Sequence, residues 1–287
     1  MVYTLSPFGM VYDQIRAEER LIIEAAKKRG FNLALHNAEN LVLEASNLDR
    51  PEMDPLILQR CVSYFRSLYL TAILESKGIR VVNPYQVAFI CGNKLLASMV
   101  LAKAGVPTPR TFVAFDSKSA LKALDKVGYP AFIKPVVGSW GRLVAPLKDL
   151  YSAKAILEAR EFMFPLYQIY YIQEQVKRPP RDIRSFVIGD MAVAAIYRYA
   201  PQGEWRTNTA RGGRAEACKV AGELEEITLR AAKAVGGEFL GVDLMESSEG
   251  LMVHEINYST EFRNTVPVTG VDIPGILVDY MVELAKK

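Results

Sequence analysis

Apolar residues at helical spacing alternate with short apolar runs over the first third of the chain. Ile15, Ile22 and Ala26 form one stripe before Gly30, and this spacing predicts a helix over about residues 13–28. Further helices are predicted over about 63–77 and 94–104, with a short strand over about 79–82 between them. Alternation of strand and helix is typical of a parallel sheet, so we expect an open parallel α/β sheet here. The opening strand is irregular, and the pattern does not define its first residue.

From about residue 111 the pattern changes to mixed α+β. Gly189-Asp190 separates two alternating segments and predicts a type II′ turn, because glycine tolerates the positive φ of the first turn position. The predicted strands cover about 112–114, 130–134, 168–176, 183–188 and 191–199, the helices about 117–127, 150–162, 222–235 and 273–286, and a hairpin about 238–245 with 251–257.

Composition places the chain among ordinary folded proteins. It has 287 residues, of which 50% are hydrophobic and 23% charged, which fits about two domains. Lys and Arg number 35 against 32 Asp and Glu, and this balance argues against nucleic acid as a partner. No apolar run reaches the roughly 18 residues of a membrane span, and the first ten residues lack the features of a secretion signal. We therefore expect no membrane partner and a cytoplasmic protein.

Cysteine and histidine are too sparse for several common kinds of site. The three cysteines are far apart and form no CxxC pair, which argues against a disulfide framework or a zinc ribbon. Only His36 and His254 occur, so a histidine-rich metal site is excluded and a Ser-His-Asp triad is disfavoured. His254 lies between inward-facing positions of a predicted strand and is interpreted as a structural or surface residue.

A lysine at a strand end precedes a glycine-containing loop. Lys134 stands four residues before Gly138-Ser139-Trp140-Gly141, and glycines let backbone amides turn towards an anion beside the lysine charge. No Walker A sequence and no GxGxxG motif occurs. A hairpin turn beside a surface lysine explains the same residues, so this segment alone leaves both interpretations open.

Two acids and an amide share one face of the predicted C-terminal hairpin. A five-residue turn over 246–250 places Asp243 opposite Val253 and diagonal to Glu255, at roughly 7–8 Å between Cα atoms. With Asn257 on the same face, these oxygen atoms suit one or two hard cations such as Mg²⁺. A solvated outer face is the alternative, because the register is inferred from the turn length.

A basic cluster precedes and includes the next predicted hairpin. Lys177 and Arg178 are interpreted as solvated, whereas Arg184 and Arg198 lie on the two strands of the hairpin. Both can face one site and hold a carboxylate or phosphate through paired hydrogen bonds.

In chain order, the lysine before the glycine loop, the strand 171–174 and the Asp243…Glu255-x-Asn257 pattern resemble the ATP-grasp superfamily. A closer likeness, from about residue 12 to the C-terminus, is to the LysX family of α-aminoadipate–LysW ligases. Its motifs stand at 92–94, 134–142, 181–184, 208–213, 255–257 and 261–265. RimK-type ligases share fewer of these motifs. The chain departs from many relatives at Asn93, where they carry Asp.

The resemblance implies an α/β and α+β fold of the ATP-grasp type. It has an N-terminal pre-ATP-grasp domain over 1–93, a central subdomain over 94–174 and a C-terminal subdomain with the metal site over 175–287. The implied reaction uses ATP to phosphorylate the side-chain carboxylate of the C-terminal glutamate of LysW, a small acidic carrier protein. The α-amine of α-aminoadipate then displaces phosphate, a step of lysine biosynthesis. A homo-oligomer, dimer or tetramer, is also expected.

The resemblance also implies roles for individual residues. The nucleotide site contains Lys94, Lys134, Gly138, Ser139, Trp140, Gly141, Gln173, Glu174, Gln175, Val176, Asp182 and Asn208. The amino-acid site contains Arg184, Arg198, Thr209, Ala210, Glu261, Phe262, Arg263, Asn264 and Thr265. Lys134 and Arg198 are expected to act in catalysis, and Asp243, Glu255 and Asn257 to hold Mg²⁺ beside ATP.

Two other functions fit the same sequence. Glutamate–LysW ligases of the ArgX type carry Gly-Phe where this chain has Asn264-Thr265, and a chain active on both amino acids is a further alternative. We expect threonine to leave room for the extra methylene of α-aminoadipate, which is worth about 1–3 kcal/mol of discrimination. A non-catalytic ATP-binding regulator is disfavoured because Asp243, Glu255 and Asn257 are all present.

Overall fold

The computed structural model describes residues 6–201 and 214–287. Three sheets occupy residues 9–82, 111–174 and 181–257, so the proposed domain boundaries at 93/94 and 174/175 fall between sheets. The fold is mixed α/β, with a parallel sheet at the N-terminus and antiparallel sheets after it, as the sequence predicts. Within the described ranges, no helix has both the length and the apolar content needed to cross a bilayer.

The N-terminal sheet has four parallel strands in the order β2-β1-β3-β4. Its first strand begins at Gly9, where a Cβ would lie only 2.5 Å from Asp54 Oδ2, so glycine permits this close approach. The hydrophobic pattern did not predict β2 and β3, which have four residues each. The elements are β1 (Gly9–Tyr12), α1 (Ala17–Lys28), β2 (Ala34–Asn37), β3 (Leu56–Gln59), α2 (Tyr64–Ser76) and β4 (Arg80–Val82).

Two helices, α3 (Tyr85–Cys91) and α4 (Lys94–Lys103), follow this sheet. Helix α3 was not predicted, whereas α4 agrees with its expected range. Asn93 caps α4, because its side chain accepts hydrogen bonds from the backbone N–H groups of the first turn. The backbone N–H of Lys94 also donates to the carbonyl of Val136 at 2.7 Å. The start of α4 is thereby attached to the chain that leads into the glycine loop.

The central subdomain is a four-stranded antiparallel sheet in the order β5-β8-β6-β7. Helices α5 and α6 pack on it, and Asp116 and Asp149 cap their N-termini through side-chain hydrogen bonds. Because β6 and β8 are antiparallel, Lys134 pairs with Tyr171 and Glu174 pairs with Ala131, so the two residues lie at opposite ends of this ladder. The elements are β5 (Thr111–Ala114), α5 (Ser117–Val127), β6 (Ala131–Lys134), β7 (Ala145–Leu147), α6 (Leu150–Glu161) and β8 (Tyr170–Glu174).

The C-terminal subdomain contains a five-stranded antiparallel sheet in the order β11-β10-β9-β12-β13. Gly189 joins β9 to β10 with φ +61°, as the predicted type II′ turn requires. Helix α7 covers one face and α9 the other. The elements are β9 (Arg181–Ile188), β10 (Met191–Tyr199), β11 (Arg214–Cys218), α7 (Glu223–Val235), β12 (Phe239–Ser247), β13 (Gly250–Asn257), α8 (Val266–Thr269) and α9 (Ile273–Ala285).

The predicted register of the β12–β13 hairpin is wrong. Ser247 pairs with Gly250, so the turn has two residues rather than five. A bulge then shifts the pairing between Asp243 and Leu244, because β13 holds one extra residue at this point. As a result, Asp243 lies directly opposite Glu255 and not diagonal to it. The correction brings the two carboxylates closer than the sequence indicated.

The N-terminal domain packs against the C-terminal sheet through a shared apolar core. Phe8 and Phe31 belong to the same buried cluster as Phe186 and Phe239. Asn83 adds four hydrogen bonds across this boundary: its amide donates to two carbonyls of the C-terminal subdomain and accepts from two backbone N–H groups. Polar atoms buried at the boundary are thus paired, which fixes the N-terminal domain beside the C-terminal hairpin.

Candidate active site

Two adjoining cavities lie where the three sheets meet. The larger has a volume of about 480 Å³ and lies between the glycine loop, the end of β8 and the β12–β13 hairpin. The smaller, about 250 Å³, reaches the N-terminal domain. Six residues line both cavities: Lys94, Gly138, Ser139, Gly141, Arg198 and Glu255. A ligand in one cavity therefore shares a wall with a ligand in the other.

Lys134 lies in the larger cavity at the end of β6. Its Nζ atom donates to Gln173 Oε1 at 2.6 Å, and the Gln173 amide donates in turn to Thr111 Oγ1 and Tyr171 OH at 3.0 and 2.9 Å. Burial disfavours the ammonium and lowers the pKa of Lys134 to about 8, although the charge of Glu255 opposes this shift. A buried cation held by a neutral amide is well suited to bind an anion.

Lys94 connects the glycine loop to the hairpin. Its Nζ atom donates to the Gly138 carbonyl at 2.6 Å and lies 3.3 Å from Glu255 Oε1. The loop takes positive φ at Gly138, Trp140 and Gly141, and Trp140 is partly covered by the Arg142 guanidinium at 4.9 Å from the ring centre. Trp140 lines the smaller cavity only.

Asp243 is at the centre of a buried charge network. Arg184 donates to both of its oxygens at 2.7 Å, and Arg198 Nη2 lies 3.1 Å from Oδ2. Arg198 also donates to both oxygens of Asp182, at 2.7 and 2.9 Å. Burial alone raises the pKa of Asp243, but Arg184 and Arg198 outweigh it and hold that pKa far below its ordinary value. Arg184 and Arg198 do face one site, as predicted.

The proposed metal ligands lie together on the hairpin. Asn257 Nδ2 donates to Asp243 Oδ2 at 3.3 Å, and Asp243 is paired with Glu255 across the two strands. Burial raises the pKa of Glu255, yet Lys94, His254 and Lys134 together outweigh it and lower that pKa, so the carboxylate is ionised at neutral pH. Two carboxylates and one amide oxygen make the hard-oxygen donor set that Mg²⁺ takes, so the residues present fit this ion.

His254 lines the larger cavity, although the sequence indicated a structural or surface role. The bulge in β13 places it beside Asp243 and Glu255, and its Nε2 atom is buried without a hydrogen-bond partner, 4.0 Å from Asp182 Oδ2. Burial, together with the nearby charge of Lys134, lowers the pKa of His254 to about 4, so the ring is neutral at pH 7. The sequence could not reveal this placement because nothing in it marks the bulge.

The larger cavity collects most residues of the predicted nucleotide site. These are Lys94, Lys134, Gly138, Ser139, Gly141, Gln173, Glu174, Gln175, Val176 and Asp182. Asn208, and with it Thr209 and Ala210 of the predicted amino-acid site, lies outside the described residues. The arrangement supplies cations and carboxylates, which are the groups that phosphoryl chemistry requires of a protein.

The predicted amino-acid residues are divided by the structure. Arg184, Arg198 and Glu261 line the smaller cavity. Phe262, Arg263, Asn264 and Thr265 line neither cavity: Phe262 is in the core against Phe239, Arg263 is exposed beside Glu18, and Thr265 is buried at the start of α8. Thr265 does not line either cavity, and the expectation that it leaves room for the substrate stays a prediction.

Sequence reasoning missed several residues of the smaller cavity, among them Arg16, Ser259 and Thr260. Arg16 stands just before α1, and its backbone N–H donates to Glu19 Oε2 at 2.9 Å as part of a capping arrangement. Glutamate three residues after a helix start was the one signal available in the sequence. The contact of Arg16 with Glu261 joins residues 245 positions apart, which no local pattern reveals.

Comparison with family models agrees with this geometry. Residues 91–281 match the RimK-like ATP-grasp domain, and residues 8–90 match the LysX preATP-grasp domain. The crystal structure of a RimK domain protein ATP-grasp from Sphaerobacter thermophilus has a TM-score of 0.77 at 24% identity, covering 95% of this chain and 98% of that one. The ATP-grasp ligase PsnB complexed with a phosphomimetic variant of minimal precursor, Mg and ADP has a TM-score of 0.75 at 19% identity, covering 98% of this chain and 99% of that one.

Two kinds of ligase are similar to this chain in sequence. The α-aminoadipate–LysW ligase LysX of Saccharolobus solfataricus is 40% identical over 274 residues, covering 95% of this chain and 99% of that protein. The glutamate–LysW ligase ArgX of Sulfolobus acidocaldarius is 36% identical over 277 residues, covering 95% and 97%.

Proposed function

Since the chain belongs to the RimK-like ATP-grasp family and is an ATP-dependent ligase, we propose that it acts on a LysW-type acidic carrier protein. The proposed product is an amide between the α-amino group of α-aminoadipate and the side-chain carboxylate of the carrier's C-terminal glutamate. The observation that carries this proposal is the shared wall of the two cavities. Lys94 and Glu255 line both, so the phosphate of a nucleotide and the carbon it activates can meet there.

ATP would lie in the larger cavity, with its phosphates near Lys94 and Lys134 and its adenine near residues 173–176. Asp243, Glu255 and Asn257 would hold Mg²⁺, which neutralises phosphate charge. The hydrogen bond to Gln173 holds the Lys134 ammonium in place before ATP binds.

The reaction needs two steps. A carboxylate oxygen of the carrier attacks the γ-phosphorus of ATP, and ADP leaves with a mixed acyl phosphate as the product. The α-amine then attacks the acyl carbon, phosphate leaves, and the amine loses a proton as the amide forms. Arg198, fixed by Asp182 and Asp243, lines both cavities and can stabilise the acyl phosphate oxygens through charged hydrogen bonds.

The choice of α-aminoadipate over glutamate rests on sequence. Asn264-Thr265 resembles the pair in LysX-type ligases, and the relatives named LysX reach 40% identity, while those named ArgX reach 36%. A glutamate ligase, or a protein that uses both amino acids, is the second candidate because these identities are close.

Mass spectrometry of the carrier tests the proposal. The carrier is incubated with this protein, ATP, Mg²⁺ and either amino acid, and the expected result is a carrier heavier by one α-aminoadipate less one water. A glutamate adduct of equal or greater yield supports the second candidate. An unmodified carrier, with ATP still bound by the protein, contradicts ligase activity on this partner and supports the regulator.

A further inference from the structure

The N-terminal domain contributes one cation, Arg16, to the smaller cavity. Arg16 lines this cavity and not the larger one, and its side chain is 16% exposed. Its position is fixed from two sides, because its backbone is bound to Glu19 in the first turn of α1 and its Nη1 atom donates to Glu261 of the C-terminal subdomain.

The hydrogen bonds of Arg16 leave donors for a ligand. A guanidinium has five N–H donors. Nε and Nη2 donate to Glu19 at 3.0 and 2.9 Å, and Nη1 donates to Glu261 at 3.3 Å, so two N–H groups remain. Arg60 also donates to Glu19 at 2.9 Å, and both of these side chains are completely buried. Glu19 is therefore shared between two arginines, and the charges of Glu18 and Glu261 also act on Arg16.

Two hydroxyl groups without partners lie in the same cavity. Ser259 Oγ and Thr260 Oγ1 are buried and have no hydrogen-bond partner, and Thr260 as a whole is 1% exposed. A buried hydroxyl without a partner is costly. Thr260 Oγ1 lies against Gly241, where a Cβ would be 2.2 Å from it, so this hydroxyl does not point towards Arg16.

The orientation of the amino-acid substrate follows from what lies at each end of the smaller cavity. The attacking amine must reach the shared wall at Lys94 and Glu255, and the α-carboxylate, attached to the same carbon as the amine, stays near it, within reach of Arg184 or Arg198. Within the substrate, only a second carboxylate at the end of its side chain extends to the part of the smaller cavity that the larger cavity does not share.

We propose that Arg16 binds the side-chain carboxylate of a dicarboxylic amino-acid substrate. This rests on the proposed function. The proposal assigns selectivity for the side-chain carboxylate to the boundary between the N-terminal domain and residues 259–261. The contact of Arg16 with Glu261 is the longest of its three side-chain hydrogen bonds, and it is the one that the substrate carboxylate replaces.

The test compares two substrates that differ only in the distal group. Norleucine has the length of α-aminoadipate but a methyl group in place of the second carboxylate. In the unmodified protein, kcat/KM with ATP, Mg²⁺ and carrier should favour α-aminoadipate by about ten- to hundredfold, the value of a charged hydrogen bond. In Arg16→Met this ratio should fall close to one, and in Arg16→Lys it should take an intermediate value, with KM for ATP unchanged in both.

Arg29→Ala is the matched control. Arg29 follows the other end of α1 and is paired with Asp279 of the C-terminal subdomain, yet it lines neither cavity. The ratio of kcat/KM values for the two substrates should therefore be the same in Arg29→Ala as in the unmodified protein. Dissociation constants for both amino acids, measured by calorimetry with a non-hydrolysable ATP analogue, give the same ratio without turnover.

Each outcome decides the assignment. Equal losses of kcat/KM for both substrates in Arg16→Met show a structural role for Arg16 and overturn the assignment. The assignment is also overturned if Arg16→Met and Arg16→Lys leave the ratio of the two kcat/KM values unchanged while the unmodified protein makes product. An unmodified protein that ligates no dicarboxylic amino acid to the carrier, although it binds ATP, overturns the proposed function and the assignment together.

Discussion

Arg184 donates a hydrogen bond of 2.7 Å to each oxygen of Asp243. Arg198 approaches the same carboxylate, so the acid expected to hold Mg²⁺ also anchors the two arginines expected to meet the substrate. Asp243 thus has a structural role that Glu255, which contacts Lys94 at 3.3 Å, does not share to the same degree.

Asp243→Asn should therefore lower stability as well as activity. It leaves the buried Arg198 and the largely buried Arg184 with less compensating charge, and breaking a buried pair costs about 3–5 kcal/mol. Chemical denaturation should show a loss of this order. A variant that is inactive but as stable as the unmodified protein would contradict the anchoring role.

Glu255→Gln should reduce the rate of ligation by orders of magnitude while the fold is retained. The proposed Mg²⁺ site loses an anionic ligand at the point where phosphate charge develops. The measurement is single-turnover product formation over a range of Mg²⁺ concentrations. Glu249→Gln, in the exposed turn of the same hairpin, is the control and should behave as the unmodified protein. Full activity of Glu255→Gln at millimolar Mg²⁺ would remove Glu255 from the metal site.

Lys134→Ala should weaken ATP binding by roughly ten- to hundredfold, because a charged hydrogen bond to phosphate is worth about 1.5–3 kcal/mol. Calorimetry with ATP measures the change, and Lys148→Ala is the control, since Lys148 is exposed in the same subdomain and lines neither cavity. Equal affinities in the two variants would place Lys134 outside the nucleotide site.

The pH dependence gives a second test of Lys134. Burial lowers its pKa to about 8, so the ammonium is present below this pH and is lost as the pH rises through it. We expect kcat/KM for ATP to fall above about pH 8 in the unmodified protein. Lys134→Arg keeps its charge at this pH and should lack that fall, whatever its overall rate.

Glu19 should make the fold sensitive to acid. Burial raises the pKa of Glu19, but Arg60 and Arg16 outweigh it and lower that pKa to about 2. A carboxyl whose pKa is lower in the folded state stabilises above its unfolded pKa and loses that contribution as the pH falls towards 2. Unfolding free energies measured between pH 5 and pH 2 should decline by up to about 3 kcal/mol more in the unmodified protein than in Glu19→Gln. Parallel pH profiles would argue against this role.

The sequence predicted elements with strong periodicity well. Helices α5 and α9 and the hairpin of β9 and β10 lie close to their expected ranges, because their apolar spacing and turn residues are local signals. Strands β2 and β3 have four residues each, too few for a clear period, and were missed.

Residues of the candidate site could be predicted from the sequence where they belong to motifs. Lys134, Gly138, Ser139 and Gly141 line the larger cavity, and their role in binding a nucleotide stays a prediction. The inward position of His254 depends on a bulge, and the position of Arg16 depends on packing between domains. Neither feature produces a local pattern in the sequence. Asn264 and Thr265 belong to a motif and still lie away from both cavities, so a motif marks a segment rather than every contact within it.

Gly138, Ser139 and Gly141 line both cavities, and Lys94 binds the Gly138 carbonyl at 2.6 Å. A nucleotide that fixes this segment therefore also sets the shape of the compartment next to it. Thermodynamic linkage makes such an influence mutual: if ATP changes the affinity for the amino acid by some factor, the amino acid changes the affinity for ATP by the same factor. We therefore expect any coupling between the affinities for ATP and for the amino acid to depend on these three small residues.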